Sequence, residues 1–265
     1  MQNRIDRTFD KLRAEKKAAM IAYICAGDPN MEATETIALA LERAGVDLLE
    51  LGLPFSDPLA DGIVNQMAAS RALDAGATTA KVLQCIRNIR QKSEMPITLY
   101  TYTNPIYIYG FQEFMKDAEA AGVDGILILD LPPDEDAANP DLAPKGNIHR
   151  IRLIAPTTPE SRLPIITKNA GGFIYYVSRE GVTGERTDVA DTLQEKVEAI
   201  RRASSVPIAV GFGISTPEQV RAVADVADGV VVGSAIVKRI AEWGNLPDLA
   251  ERLEAFVAPL AKATK

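Results

Sequence analysis

The feature that most limits how this chain can fold is an uninterrupted alternation. A short apolar run rich in β-branched residues is followed by a stretch with apolar residues at helical spacing, and the pattern recurs eight times. The strand candidates are 19–24 (AMIAYI), 47–52 (DLLELG), 97–102 (ITLYTY), 125–130 (GILILD), 150–155 (RIRLIA), 173–177 (FIYYV), 207–210 (PIAV) and 229–232 (GVVV). Helical spacing is found at 32–44, 78–92, 112–121, 159–169, 190–203 and 216–226. Strands apolar along their whole length are buried on both faces, as parallel strands covered by helices must be. Eight such units fit a closed (β/α)8 barrel, a TIM barrel, better than an open doubly wound sheet. The first run ends in AGDPN rather than the glycine pattern of a dinucleotide fold, and GFGIST lacks its third glycine. Segment 3–15 is expected as an extra helix covering the barrel floor and 246–262 as a terminal helix, all within one domain spanning 1–265.

Composition narrows the function. With 47% apolar and 25% charged residues the chain has the profile of a self-sufficient globular core. The formal charge of -7 and the lack of a basic stripe with interleaved aromatics argue against nucleic acid. No apolar run is long enough to span a bilayer, and the amphipathic start MQNRIDRTFDKLRAEKK has no signal-peptide core, so the expected location is the cytoplasm. Cys25 and Cys85, with one histidine in the whole chain, offer no material for a disulfide framework or a zinc site and read as core thiols.

In a barrel of this kind the site lies at the carboxyl ends of the strands. There DLLELGLPFSDPLADG (47–62) places Glu50 among leucines, with no lysine or arginine in its own loop. If it points inward, burial raises its pKa toward the range of a group that gives and takes protons near neutrality. The other reading is a side chain directed between strand and helix. Asp61, in the loop after the same strand, can reach the same cavity, although an Asp-Gly pair is also a common turn, and Asp57-Pro58 reads first as a turn initiator. Three further segments, SREGVTG (178–184), VGFGIST (210–216) and VVVGSAIV (230–237), bring glycine-rich backbone and a helix start to the ends of strands six to eight, the usual place of a barrel phosphate site. His149, at the floor end of strand five, reads as structural or exposed. Tyr100, Tyr102, Tyr175 and Tyr176 read as core or as walls for a flat ring, and DEDAAN as a solvated helix start.

Taken together, LELGLPFSDPLADG, SREGVTG, GFGIST and GSAIVK resemble the tryptophan synthase α-subunit family over essentially the whole chain. The resemblance implies a lyase of tryptophan biosynthesis that cleaves indole-3-glycerol phosphate to indole and glyceraldehyde 3-phosphate. It also implies an α2β2 heterotetramer with a β subunit that carries pyridoxal phosphate, and no cofactor in this chain. Carried over by position, it makes Glu50 and Asp61 the catalytic acids and Tyr175 a residue beside the substrate. Gly184, Gly213, Gly233 and Ser234 become the phosphate site, and Thr183 part of a mobile lid closing on the aspartate. Pro54, Asp57 and Pro58, with Asn104 on a neighbouring loop, then face the β subunit. The chain departs from many relatives at Ile63, where they carry proline, and at Tyr23 and Tyr100, where they often carry Phe and Leu. The expectation is a loop that holds Asp61 less firmly and a more polar pocket, with none of these residues touching the two acids. A barrel that chiefly activates the β subunit, with little turnover of its own, is the alternative.

Overall fold

A computed structural model describes residues 2–140, 146–178, 187–211 and 213–265. The strands are β1 (Ala19–Cys25), β2 (Leu48–Gly52), β3 (Ile97–Thr101), β4 (Gly125–Ile128), β5 (His149–Arg150), β6 (Arg152–Ile154), β7 (Ile174–Val177), β8 (Ile208–Gly211) and β9 (Gly229–Val232). The helices are α1 (Arg4–Ala14), α2 (Met31–Arg43), α3 (Ile63–Asp74), α4 (Thr79–Arg90), α5 (Thr103–Tyr109), α6 (Phe111–Ala121), α7 (Pro133–Ala138), α8 (Leu163–Thr167), α9 (Thr187–Ala203), α10 (Pro217–Ala224), α11 (Ser234–Trp243) and α12 (Leu249–Lys262). Among them none is long and apolar enough to cross a membrane.

All pairings in the sheet are parallel, in the order β5-β4-β3-β2-β1-β9-β8-β7-β6. The two ends of that order are halves of one extended segment. β5 pairs with β4, β6 pairs with β7, and only Ile151 lies between them, its N–H donating to the Ile126 carbonyl at 3.0 Å. The sheet therefore returns on itself as the expected barrel, with the fifth sequence run serving both seams. Two helices were not foreseen. α3 has no large apolar stripe because it buries only Ala68, Ala69 and Ala72, and α5 is too short for helical periodicity to register. The helix expected at 159–169 is a 3-10 turn, Glu160–Arg162, followed by short α8.

Period-two alternation sorts the strand residues. One set faces the surrounding helices. The other fills the barrel: Ala19, Ile21, Leu48, Leu127, Ile151, Phe173, Ala209 and Val231 are all buried there. From below, α1 supplies Ile5, Phe9 and Leu12 to the same cluster, and the Phe9 and Phe173 rings lie 5.9 Å apart. Asn3 caps α1 by accepting from the Ile5 N–H at 2.8 Å, and its amide donates to the Asp124 carbonyl at 2.9 Å and to the Asn147 carbonyl. His149 pairs with Asp6 of α1 at 2.8 Å, which gives the only histidine a structural place on the floor.

The floor also carries a repeated device. Asp47, Asp124 and Asp228 each stand just before a strand and grip the first or second residue of the adjacent one. Their carboxylates accept from Met20 N–H (2.7 Å), Ile97 N–H (2.9 Å) and Ile208 N–H (2.9 Å). Their own N–H groups donate back to the carbonyls of those same residues at 2.8, 2.9 and 2.9 Å. Strand starts, which would otherwise present unpaired amides, are thereby satisfied and set in register. DEDAAN is the helix start expected and is exposed except at Asp136, which is nearly buried and bridges Arg150, at 3.2 Å, and Arg152. Phe9→Ala should cost about 3–5 kcal/mol of stability, read as a drop in denaturant midpoint, because it opens a cavity between the plug and the barrel interior.

Candidate active site

At the carboxyl end the barrel filling changes character. Above the buried layer, Tyr100, Leu129, Leu153 and Tyr175 belong to the same inward-facing cluster but are only half-buried, so the closely packed filling ends at this level. Glu50 sits at the boundary. It lies in register between Tyr23 of β1 and Thr98 of β3, is 1% exposed, and its Oε1 has no hydrogen-bond partner. Among the expected orientations of Glu50, the inward one is correct. Burial in apolar surroundings, and secondarily the nearby charge of Asp61, push its pKa up to about 8. A buried orphan acceptor is costly unless something arrives to meet it.

Asp61 reaches the cavity from the loop that follows β2, which arches back over the barrel. Tyr100 Oη donates to its Oδ1 at 2.9 Å and Tyr102 Oη to its Oδ2 at 2.7 Å, while Tyr102 Oη accepts from the Ala60 N–H at 3.0 Å. The Asp61 carbonyl accepts from Gln66 Nε2 at 2.8 Å in the first turn of α3. Two expectations are thus corrected. Ile63 opens a helix instead of loosening the loop, and Tyr100 does touch one of the acids, because β3 places its inward position beside the end of β2. Tyr102 has the same origin, and the alternation of inward residues along 97–102 is the sequence signal that would have singled both out.

Opposite these acids, Tyr175 projects inward from β7. A Cβ on Gly211 would lie 2.7 Å from its hydroxyl, so glycine there is what lets the phenol lie against β8. Gly213 turns at φ +65° just after β8, and Gly233 directly follows β9, the neighbouring strand. Gly233 precedes α11 without a side-chain cap, so no capping side chain covers the N–H groups that open the helix at Ser234. Thr183 and Gly184 lie outside the described residues. Among the described residues no cluster of His, Cys, Asp or Glu could hold a metal ion.

A family model described as tryptophan synthase alpha chain matches residues 9–265. The tryptophan synthase alpha chain of Opitutus terrae is 49% identical over 264 residues, covering 99% of both chains. The chain belongs to the tryptophan synthase alpha chain family. The Geotalea daltonii member is 46% identical over 257 residues, 97% of each chain. Among solved structures, the subunit alpha of Legionella pneumophila superposes with a TM-score of 0.91 at 38% identity, covering 100% of this chain and 99% of that one. An α chain from the tryptophan synthase α2β2 complex of Pyrococcus furiosus gives 0.83 at 38% identity over 93% of this chain and 98% of that one.

With the family known, the rim of the barrel becomes informative. Asp57 and Asn104 are exposed and Pro58 is half-buried, whereas Pro54, expected with them on a partner-facing surface, is buried beneath the loop. Beside them Leu59, Ile63, Tyr107 and Ile108 are 84, 68, 65 and 76% exposed, an apolar group on the loops and helices after β2 and β3. Cys25 and Cys85 are buried free thiols, as expected of core residues. Holding an acid at about pKa 8 has a thermodynamic consequence. The folded chain keeps the Glu50 proton that the unfolded chain loses near pH 4.5, so this carboxyl lowers stability progressively as pH rises from about 4.5 to about 8. Glu50→Gln should therefore raise the denaturant midpoint at pH 8, by about 1 to 4 kcal/mol, and change it little at pH 4.5.

Proposed function

We propose that the chain cleaves indole-3-glycerol phosphate to indole and glyceraldehyde 3-phosphate in tryptophan biosynthesis. The observation that carries the reading is Glu50, a buried acid with an unpartnered oxygen and a pKa of about 8, at the base of a cavity whose rim holds Asp61. At neutral pH such a carboxyl is mostly protonated, as a general acid must be. It delivers its proton to indole C3, which turns the ring into an indolenine and weakens the bond to the glycerol carbon. The resulting carboxylate then takes the proton of the glycerol hydroxyl as the carbon–carbon bond breaks and the aldehyde forms. Asp61 accepts the indole N–H and stabilises the positive charge developing there. Tyr175 and the half-buried leucines flank the flat ring, and the Gly213, Gly233 and Ser234 backbone holds the phosphate with helix-terminal dipoles, so a net-acidic chain binds an anion without a basic patch. Thr183 and Gly184 complete this assignment as lid and phosphate contacts.

The apolar rim group suits a permanent partner, and we assign that surface to a tryptophan synthase β subunit in an α2β2 assembly in the cytoplasm. Pyridoxal phosphate belongs to that β subunit, and this chain needs no cofactor of its own. Purified chain should release indole from indole-3-glycerol phosphate, faster with a β subunit present, and Glu50→Gln and Asp61→Asn should each cost about 10²–10⁴ in kcat. Near-full activity in either variant would refute its role. Stimulated indole consumption by the β subunit without indole release would identify an allosteric activator instead. Because the reaction needs protonated Glu50, kcat/KM should fall as pH rises through about 8. Leu59→Asp or Ile108→Asp should weaken β-subunit binding more than tenfold, measured by titration calorimetry, while shifting the melting temperature of the isolated chain by less than about 3 °C.

A further inference from the structure

We propose that Tyr100 is a positioning residue for this reaction: its phenol, fixed on a barrel strand, orients the Asp61 carboxylate before substrate enters. The proposal rests on the lyase reading above.

Asp61 sits on a loop whose neighbours Ser56, Asp57, Leu59 and Ala60 are exposed. Several backbone contacts of this loop are internal, with Leu59 N–H donating to the Asp57 carbonyl at 2.9 Å and Asp61 N–H to the Pro58 carbonyl at 3.0 Å. The short contacts on its carboxylate come from the two tyrosines of the β3 segment, one on each oxygen, with a longer one from Asn65 Nδ2 to Oδ1 at 3.5 Å. Their tasks differ. Tyr102 also accepts the Ala60 N–H, so it fastens the loop backbone together with the acid. Tyr100 meets the loop at the carboxylate oxygen, and so its hydroxyl controls carboxylate rotation without supporting the loop. Its ring is itself fixed by an edge-on contact with Tyr23, centroids 5.0 Å apart at 68°. Oδ2, with Tyr102 as its one side-chain donor, keeps a lone pair to accept an N–H from a bound ring. A carboxylate held in this way meets developing charge without reorganising, which is where such a group gains its catalytic effect.

Consider Tyr100→Phe, which keeps the ring, and Tyr100→Leu, each in the full chain with and without a β subunit. Loss of one charge-assisted hydrogen bond should lower kcat between about tenfold and a hundredfold in both variants, with KM altered less than about threefold. A drop in the leucine variant but not in the phenylalanine variant would assign Tyr100 to packing and overturn the proposal. A second readout does not need turnover. The titratable groups facing Glu50 are Tyr23 from β1, Asp61 from its loop, Tyr100 from β3 and Tyr175 from β7, with no cation among the contributors to its shift. When Asp61 is free to rotate away, the Glu50 titration followed by carbon-13 NMR of labelled glutamate should move downward from its wild-type position. An unchanged Glu50 titration in Tyr100→Phe would overturn the proposal even in a chain with no measurable turnover. Absence of indole release by the wild type would instead fail the lyase reading alone.

Discussion

A carboxyl group held inside a barrel, at the level where apolar filling ends, is the constraint to which the rest of this molecule answers. Glu50 is surrounded by strand residues that give it no counter-charge, and one of its oxygens is left unmet. Such a group opposes folding. It persists because the layers beneath it are closely packed and the acid occupies a strand, so it has little freedom to escape toward water. The contrast with Asp61 is instructive. One acid is placed by regular structure and perturbed by burial; the other is carried on a loop and placed by hydroxyl groups reaching up from the neighbouring strand.

Rigidity and adaptability are divided between the two ends of the barrel. At the floor, three aspartates clamp the starts of neighbouring strands, joining β1 to β2, β3 to β4 and β8 to β9 with paired contacts. Arg4 and Arg90 reach the Asp124 carboxylate as well, at 3.1 and 2.6 Å, which ties α1 and α4 to the same point. At the top, the connections carry exposed apolar side chains and the groups assigned to chemistry. This is the usual economy of the fold: stability concentrated at the amino ends of strands, reactivity at their carboxyl ends.

Much of this was legible in the amino-acid order, for identifiable reasons. Fully apolar strands announce burial on both faces, and eight of them in β-then-α order leave few architectures open. Glu50 could be singled out because a charge in a leucine run violates the pattern around it. Tyr100 could not be given its role in the same way, since a tyrosine in a strand is compatible with core, pocket wall or hydrogen-bond donor. Deciding among these needs the path of a loop forty residues earlier in the chain. The helix beginning at Ile63 was hidden by its alanines, which pack closely but leave no periodic signature. Asp136 misled in the opposite direction: it stands in an acidic run that is otherwise exposed, and two arginines from the next strand segment fold over it alone.

The amino-terminal helix has an effect that reaches beyond stability. By driving Ile5, Phe9 and Leu12 into the base of the barrel it fills the interior from below. The end left to the site is the one where Leu59, Ile63, Tyr107 and Ile108 stand exposed. Whatever seats itself on those side chains comes to stand beside the chemistry.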